Sequence, residues 1–381
     1  MVVVGAGVMG SATAFYLASQ GVTVTLLEQN RVGGVPGASG ASGSMLQALS
    51  GEGEPVERLG QDSRAMIGDL ARELFDLTGT DIGLTQPGTI VLAFSEGDIE
   101  QITARRVAAY RRLDESHEWL TPEEVRRREP GVAPNVIAGL YLPQSQNVYA
   151  PQYVKALAHG AGVRGADLRE GVAVTGVRRR GDCVTGVETA AGTIGCDALV
   201  LATGAWTGAA ARWLGCTLPV GPQRGQIMAL QARPPQPNVR HILHGRGGYL
   251  IPKANGTTVA GATHDDVGFD ARITAAGLQW LTGVSTRLVP ALAEAAFKHV
   301  WCGFRPIMTD GQMPVVGRLP GFANAYVASG HGAFGVTVSP ATGRLLAALI
   351  AGGEDAALAA ERLAPLDPAR YAGGAVPPPG R

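Results

Sequence analysis

Cysteine is scarce in this chain, and neither sign of charge prevails. The four cysteines, Cys183, Cys196, Cys216 and Cys302, are widely spaced, with no CxxC pair and no cluster with histidine. That pattern excludes a zinc site of the usual spacing and a thiol-exchange centre, and leaves buried thiols as the reading. Thirty-two Lys and Arg balance thirty-two Asp and Glu, so no broad field attracts nucleic acid or an anionic membrane. No apolar run approaches the roughly 18 residues of a spanning helix. Met1 stands directly before the first apolar run and leaves no room for a signal peptide. A soluble, cytoplasmic protein that acts on small molecules is the expectation, and 381 residues allow two or three domains, or one with an insertion.

Glycine is what the chain has in excess, with 54 residues. Among so many, a lone G-x-G-x-x-G is weak evidence, but the context of the first one makes it informative. Val2-Val3-Val4 runs into Gly5-Ala6-Gly7-Val8-Met9-Gly10, and Ala12, Ala14, Phe15 and Leu17 continue as a helix. Gly5 permits a tight turn, Gly7 has no side chain to hold a pyrophosphate away, and Gly10 lets the helix lie close on the strand. The N–H groups of Val8, Met9 and Gly10 are expected to face a phosphate, which the helix dipole favours by about 0.3–1 kcal/mol when exposed. A second strand over 22–27 leads to Glu28 and Gln29, where the Glu28 carboxylate suits both ribose hydroxyls.

The stretch 33–45, rich in Gly and Ser, offers backbone N–H groups at Ala38, Ser39, Gly43, Ser44 and Met45. Such a loop can wrap a pyrophosphate and reach along a flavin; the alternative is a flexible surface loop. Helical spacing in Met66, Ile67, Leu70, Leu74, Phe75 and Leu77 closes at Gly79. A strand over 88–94 then opens an insertion. The charged helix that follows, 98–113, carries Arg105, Arg106, Arg111 and Arg112 among flanking acids, and reads as a solvated face with no chemistry. Thr121-Pro122-Glu123-Glu124 reads as a capping box with Pro at the first helical position.

Another helix begins at Pro151. Short alternating segments at 172–177, which include Val174, at 183–189 and at 193–194 form an antiparallel meander that runs into a strand over 198–202 ending in Thr203-Gly204-Ala205-Trp206. A three-stranded crossover before a strand ending in Ala-Thr-Gly resembles the glutathione-reductase-like flavoproteins, which moves the expected cofactor from NAD to FAD. Strands over 222–228, 248–252 and 258–263 make a second sheet, with a helix over 275–288 before a further strand at 300–306. The stretch 325–337 leads through Ser339-Pro340 into a helix ending near Ile350. The expected fold is α/β: an FAD-binding Rossmann-like domain of glutathione-reductase type (1–85, 146–220 and 305–365) and an α+β substrate domain on a mixed antiparallel sheet (86–145 and 221–304). A disordered tail is expected over 366–381.

Residues 5–10 with Glu28, Gly43-Ser44-Met45-Leu46, Leu92-Ala93-Phe94-Ser95-Glu96, Gly204-Ala205-Trp206, Tyr249-Leu250-Ile251-Pro252, Gly303-Phe304-Arg305-Pro306 and Pro340-Ala341-Thr342-Gly343 occur in that order over nearly the whole length. Together they resemble the D-amino-acid oxidase family of flavoproteins, most closely its glycine-oxidase branch. The resemblance implies an extended, non-covalently held FAD with a small amino acid over the flavin ring, under the second sheet. Arg305 matches the arginine that grips the substrate carboxylate, where a planar guanidinium donates two parallel bonds; a structural ion pair is the alternative. Tyr249 matches a tyrosine flanking that carboxylate, with a core role as the alternative. Met45 and Ala333 fall beside the substrate, and His331, Gly332, Ala333, Phe334, Gly335, Val336 and Thr337, with Arg305, beside the flavin. His331 lines the ring or is structural.

One position departs from the branch, which carries a second arginine where this chain has Ala333. Preference for glycine is therefore in doubt, and the lost charge beside Phe334 fits a larger or less polar amine, such as a D-amino acid or an N-methyl amino acid. No side chain is needed as acid or base: hydride passes from Cα to flavin N5, water hydrolyses the imine to an oxo acid and ammonia, and O2 leaves as hydrogen peroxide. Charge on the reduced ring is expected to meet N–H groups of the glycine-rich loop and of a helix starting at Pro340. Rival readings are a D-amino-acid dehydrogenase using a quinone, the flavin domain of a tRNA-wobble-modifying enzyme, and a flavin-binding protein without turnover. A homo-oligomer is also implied; nucleic-acid, membrane and metal partners are not expected.

Overall fold

Three consecutive valines, Val2–Val4, form a strand buried on both faces near the middle of a six-stranded sheet. β-branched residues suit such a doubly covered strand, and parallel neighbours lie on either side: Leu199–Leu201 and Thr25–Glu28. Asp167–Glu170 extends the sheet beyond Thr25–Glu28. On the other side come Ala325–Ser329, parallel to Leu199–Leu201, and an antiparallel edge, Val315–Arg318. The computed structural model describes residues 1–234 and 238–374.

Helix Val8–Ser19 leaves the first strand through Gly5, whose φ of +98° belongs to glycine. A Cβ added at Gly10 would stand 1.8 Å from the Gly5 carbonyl oxygen, so no other residue allows this approach of helix to strand. Helix Gly335–Ala351 lies against Val8–Ser19 just as closely, because a Cβ on Gly343 would come within 2.7 Å of the Ala12 Cβ.

This last helix begins at Gly335, not at Pro340, which sits inside it. Proline removes the N–H that the Val336 carbonyl would accept four residues earlier. The Ser339 hydroxyl donates to that carbonyl at 3.0 Å, and the Ala341 N–H turns to Ser63 Oγ at 3.1 Å. The helix therefore survives its proline and opens five residues earlier than the sequence pattern predicts.

The second sheet has eight strands in the order Ala296–Met308, Val220–Gln231, Thr258–Gly261, Gly248–Pro252, Ile242–Gly245, Thr89–Ala93, Ala138–Leu142 and Glu118–Leu120. All its pairings are antiparallel except the parallel contact of Ile242–Gly245 with Thr89–Ala93. Helix Ala275–Leu288 buries Leu281, Val284 and Leu288 against one face with Met228, Leu250 and Ala260. A helical run through Glu96–Ile102, a π turn at Thr103–Val107 and Ala108–Arg112 buries Ile102, Val107 and Tyr110 with Val91 and Leu140. The antiparallel meander of Val174–Arg180, Cys183–Thr189 and Gly192–Gly195 forms as the sequence predicts.

Two readings of the sequence need correction here. Arg112, although exposed along much of its side chain, is not merely solvated: its guanidinium pairs with the buried Glu57 of helix Glu54–Thr78, and a second pair, Arg64 with Glu115, is buried; the two fasten the insertion to that helix. The segment after 365 is also ordered as far as it is described. Leu366 and Tyr371 are buried, and the Tyr371 hydroxyl donates to Asp310 at 2.6 Å; residues 375–381 lie outside the described residues. Among the described residues no helix is long and apolar enough to cross a membrane, and no group of His, Cys, Asp and Glu is arranged to hold a metal.

The closeness of Gly10 to Gly5 sets an expected outcome. Gly10→Ala forces helix off strand at an overpacking cost of about 1–3 kcal/mol or more, so the thermal unfolding midpoint falls by several degrees. An unchanged midpoint would show that the helix can retreat without loss.

Candidate active site

A cavity of about 800 Å³ runs from the C-terminal edge of the six-stranded sheet to the face of the eight-stranded sheet, within the size range of ligand-binding clefts. At one end are Gly5, Gly7, Val8, Met9, Glu28 and Gln29. The middle is walled by Ala38, Ser39, Gly43, Ser44, Met45, Val174, Thr203, Gly204 and Trp206, with His331 to Thr337 opposite. At the far end stand Tyr249 and Arg305. Segments from the whole length of the chain thus meet in one cavity; of the residues that the sequence marks for cofactor or substrate, Gly10 does not line it and instead packs its helix on the strand.

Glu28 is held at the end of its strand by accepting the Ala6 N–H at 2.9 Å and the Asn30 N–H at 3.0 Å, one on each oxygen. The Val8 N–H, expected to be free, donates to Ser39 Oγ at 2.9 Å, which joins the Gly- and Ser-rich loop to the first helix. That loop is no flexible surface segment. Phe304 N–H donates to Pro36 O at 3.0 Å, Thr337 Oγ1 donates to Met45 O at 2.8 Å, and a buried lysine, Lys253, donates from Nζ to Gly43 O at 2.7 Å and Val148 O at 2.9 Å. Burial pushes the Lys253 ammonium down to about 7.

His331 is buried, and neither ring nitrogen has a hydrogen-bond partner among the described residues. Burial pushes it down to about 3, so the ring is neutral at pH 7. An orphaned imidazole in a cavity wall is costly unless a ligand meets it.

At the far end the eight-stranded sheet delivers two polar groups through glycines. The Arg305 guanidinium donates from Nη1 to Thr263 O at 2.9 Å and lies over Gly225, where a Cβ would come within 2.7 Å of its Cζ. The Tyr249 hydroxyl lies over Gly261 in the same way, at 2.5 Å from an added Cβ. Burial holds Arg305 below its ordinary value and pushes the Tyr249 hydroxyl up, with Arg305 opposing the latter; the one stays a cation and the other a protonated donor at pH 7. Arg305 forms no ion pair among the described residues, although Asp265 is close enough to be felt, because that carboxylate is occupied by Arg224, Gln226 and Thr263.

Sequence reasoning missed part of the wall. Arg105 and Arg106, read as a solvated face, line the cavity together with His244, Arg246 and His264. The acids flanking the helix hid the arginines, and nothing in the strand pattern marked His244 or His264. None of the four cysteines reaches the cavity, and Cys302 instead donates its thiol to Ala271 O at 3.1 Å.

The glycine turn, the acid at the end of the second strand and the unpartnered imidazole all suit an extended dinucleotide bearing a flavin, and comparison with known proteins agrees. Residues 1–349 match the model of the FAD dependent oxidoreductase family, DAO. The chain belongs to that family, and its cofactor is FAD. It is 35% identical over 352 residues to the glycine oxidase of Geobacillus kaustophilus, covering 91% of this chain and 92% of that protein. With the glycine oxidase of Pseudomonas aeruginosa it shares 32% identity, covering 98% of each. The crystal structure of the Geobacillus kaustophilus enzyme superimposes with a TM-score of 0.87 at 34% identity, over 93% of this chain and 94% of that one.

Lys253 supplies the test of how the loop is held. Lys253→Met leaves the Gly43 and Val148 carbonyls without this donor, at about 1–3 kcal/mol. A denaturant midpoint equal to that of the parent would mean that the lysine does not pin the loop.

Proposed function

We propose that this FAD-dependent oxidoreductase is an oxidase of small amino acids: it converts the Cα–N single bond to an imine, which water hydrolyses to an oxo acid and ammonia, and it passes the electrons to O2, which leaves as hydrogen peroxide. The observation that carries the reading is Arg305, a partly buried guanidinium with no carboxylate partner among the described residues, lying beside a protonated tyrosine in the wall of the cavity. Likeness to glycine oxidases over almost the full chain supports it.

FAD supplies an acceptor for the hydride that leaves Cα. The chain supplies holding and orientation. In this reading Arg305 takes the substrate carboxylate through two parallel N–H bonds, and Tyr249 donates a third. Gly225 and Gly261 keep open the space in which those two side chains lie. The helix N-termini at Val8 and Gly335 place positive dipole ends towards the pyrophosphate and the flavin, Glu28 and Gln29 hold the ribose, and Met45 and Ala333 border the substrate. His331, being neutral, meets the cofactor as a hydrogen-bonding group without adding charge.

Anaerobic addition of glycine, sarcosine and D-amino acids, followed by the bleaching of the yellow flavin, tests the reading; no bleaching with any of them would leave a flavin-binding protein without turnover. Stopped-flow mixing of the reduced enzyme with O2 then separates an oxidase from a dehydrogenase. Arg305→Ala is expected to raise KM by roughly 30- to 1000-fold, the loss of about 2–4 kcal/mol for a charge-assisted pair. Gly225→Ala, which displaces the guanidinium without removing it, raises KM in the same direction with little change in Tm. A normal KM in both variants would take the carboxylate away from Arg305.

A further inference from the structure

Five arginines stand in the cavity wall: Arg31, Arg105, Arg106, Arg246 and Arg305. Only Arg31 has a carboxylate partner, Glu170, at 3.4 Å; among the described residues the other four form no ion pair. One of them is accounted for by a substrate carboxylate, which leaves three cations at the insertion side of the cavity.

Their setting is defined. Ser95 caps the helix that follows the strand Thr89–Ala93, and the run from it carries Arg105 and Arg106 over the cavity. Arg246 lies in the turn between Ile242–Gly245 and Gly248–Pro252, with its guanidinium 4.0 Å from the centre of the Phe94 ring, so that face is already engaged. Arg105 and Arg246 are exposed, whereas Arg106 is half-buried, with one weak bond of 3.5 Å to the Tyr110 hydroxyl. Beside it is His244, whose Nε2 is buried without a partner among the described residues and whose ring lies 5.9 Å from that of Tyr249. Burial and the charge of Arg106 push this imidazole down to about 3. Tyr249 is in turn within the field of Arg305. The order Arg305, Tyr249, His244, Arg106 is thus a polar wall with a cation at each end.

Among the described residues none of the carboxylates in the wall pairs with Arg105, Arg106, Arg246 or Arg305. Glu28 is at the other end of the cavity, occupied by Ala6 and Asn30. Asp98 accepts the Phe94 N–H at 2.8 Å. Glu52, exposed at the rim, forms no ion pair among the described residues and is in the field of another acid, Glu57. Two guanidinium groups without counter-ions in one cavity repel each other until an anion meets each of them.

We infer that the cavity selects amino dicarboxylates, with the α-carboxylate on Arg305 and Tyr249 and a second carboxylate, carried on the side chain or on the amine nitrogen, on Arg106 beside His244. The inference rests on the reading that Arg305 binds the α-carboxylate. It replaces the expectation of a less polar amine drawn from Ala333: the missing charge at 333 is matched by charges that the insertion brings from another direction.

The test pairs each acid with its neutral counterpart on the holoenzyme: D-aspartate with D-asparagine, D-glutamate with D-glutamine, and N-(carboxymethyl)glycine with sarcosine. In at least one pair kcat/KM for the acid should exceed its counterpart by about tenfold or more, the scale of one charge-assisted contact. Arg106→Gln should bring that ratio close to one, and Arg106→Lys should keep part of it. Calorimetric titration with succinate and with butyrate gives a readout without turnover, succinate binding more tightly by a similar factor and losing that margin in Arg106→Gln. Ratios near one throughout, or an Arg106→Gln variant that weakens both members of a pair equally, would overturn the inference. Oxidation of glycine or sarcosine with refusal of every acid sinks this inference alone. Absence of bleaching by any amine sinks the oxidase reading, and the succinate comparison still decides this one.

Discussion

The closeness with which one helix lies on the first strand, and a second helix on the first helix, is the constraint on which the rest of the molecule depends. A Cβ at Gly10 would collide with the Gly5 carbonyl and one at Gly343 with Ala12, so helix Val8–Ser19 can lie on Val2–Val4, and helix Gly335–Ala351 on that helix, only because neither position has a side chain. Both helices then open on the same cavity. Neither is capped by the side chain of its N-cap residue, Gly7 or Phe334, so part of the donor set that would ordinarily be spent within the protein is turned towards a ligand. A dinucleotide with a negatively charged middle and a flavin that gains charge on reduction is the kind of ligand this arrangement suits.

The eight-stranded sheet solves a different problem, how to keep a cation in a half-enclosed place without a counter-ion. Antiparallel pairing sets Val220–Gln231 beside Ala296–Met308 in a register that brings Gly303 opposite Gly225 and Arg305 opposite Gln223. The Arg305 side chain crosses the gap left by Gly225 and is steadied by one carbonyl, that of Thr263. The nearby acid, Asp265, is tied to Arg224, buried behind the sheet. Had Asp265 been free to reach Arg305, the guanidinium would be satisfied from within, and the proposed hold on a substrate carboxylate would be lost. In the proposed reading, keeping that acid occupied is as much a part of the site as the arginine.

The parts of this design that are legible in the sequence are those whose cause is local. A valine run into a spaced set of glycines means a strand, a turn and a close helix wherever it occurs, and an acid at the end of the next strand follows from the same unit. Strand and helix periods likewise mark the second sheet and the helix over 275–288. Arg305 and Tyr249 are legible for another reason, because short stretches around them resemble those of a family of known architecture. Pro340 misleads because the usual meaning of proline, a helix start, is overridden by Ser339 and Ser63, which take over the broken hydrogen bonds. The ordered segment after 365 misleads in the opposite sense: a composition rich in Pro and Gly says little when one tyrosine finds a buried aspartate to bond.

The sequence alone determined that this chain opens with a dinucleotide-binding unit, carries a second sheet inserted into it, and resembles the FAD-dependent oxidoreductases around Arg305 and Tyr249. Only the tertiary structure decided which glycines make room for those two side chains, that Gly10 serves packing and not the ligand, and that Arg105 and Arg106 face inwards. The physical reason is that backbone geometry is imposed by neighbours in the chain, whereas the charge in a cavity is a sum over residues as far apart in sequence as Arg106, His244 and Arg305. Whether a helical arginine meets water or a substrate depends on what is folded against it.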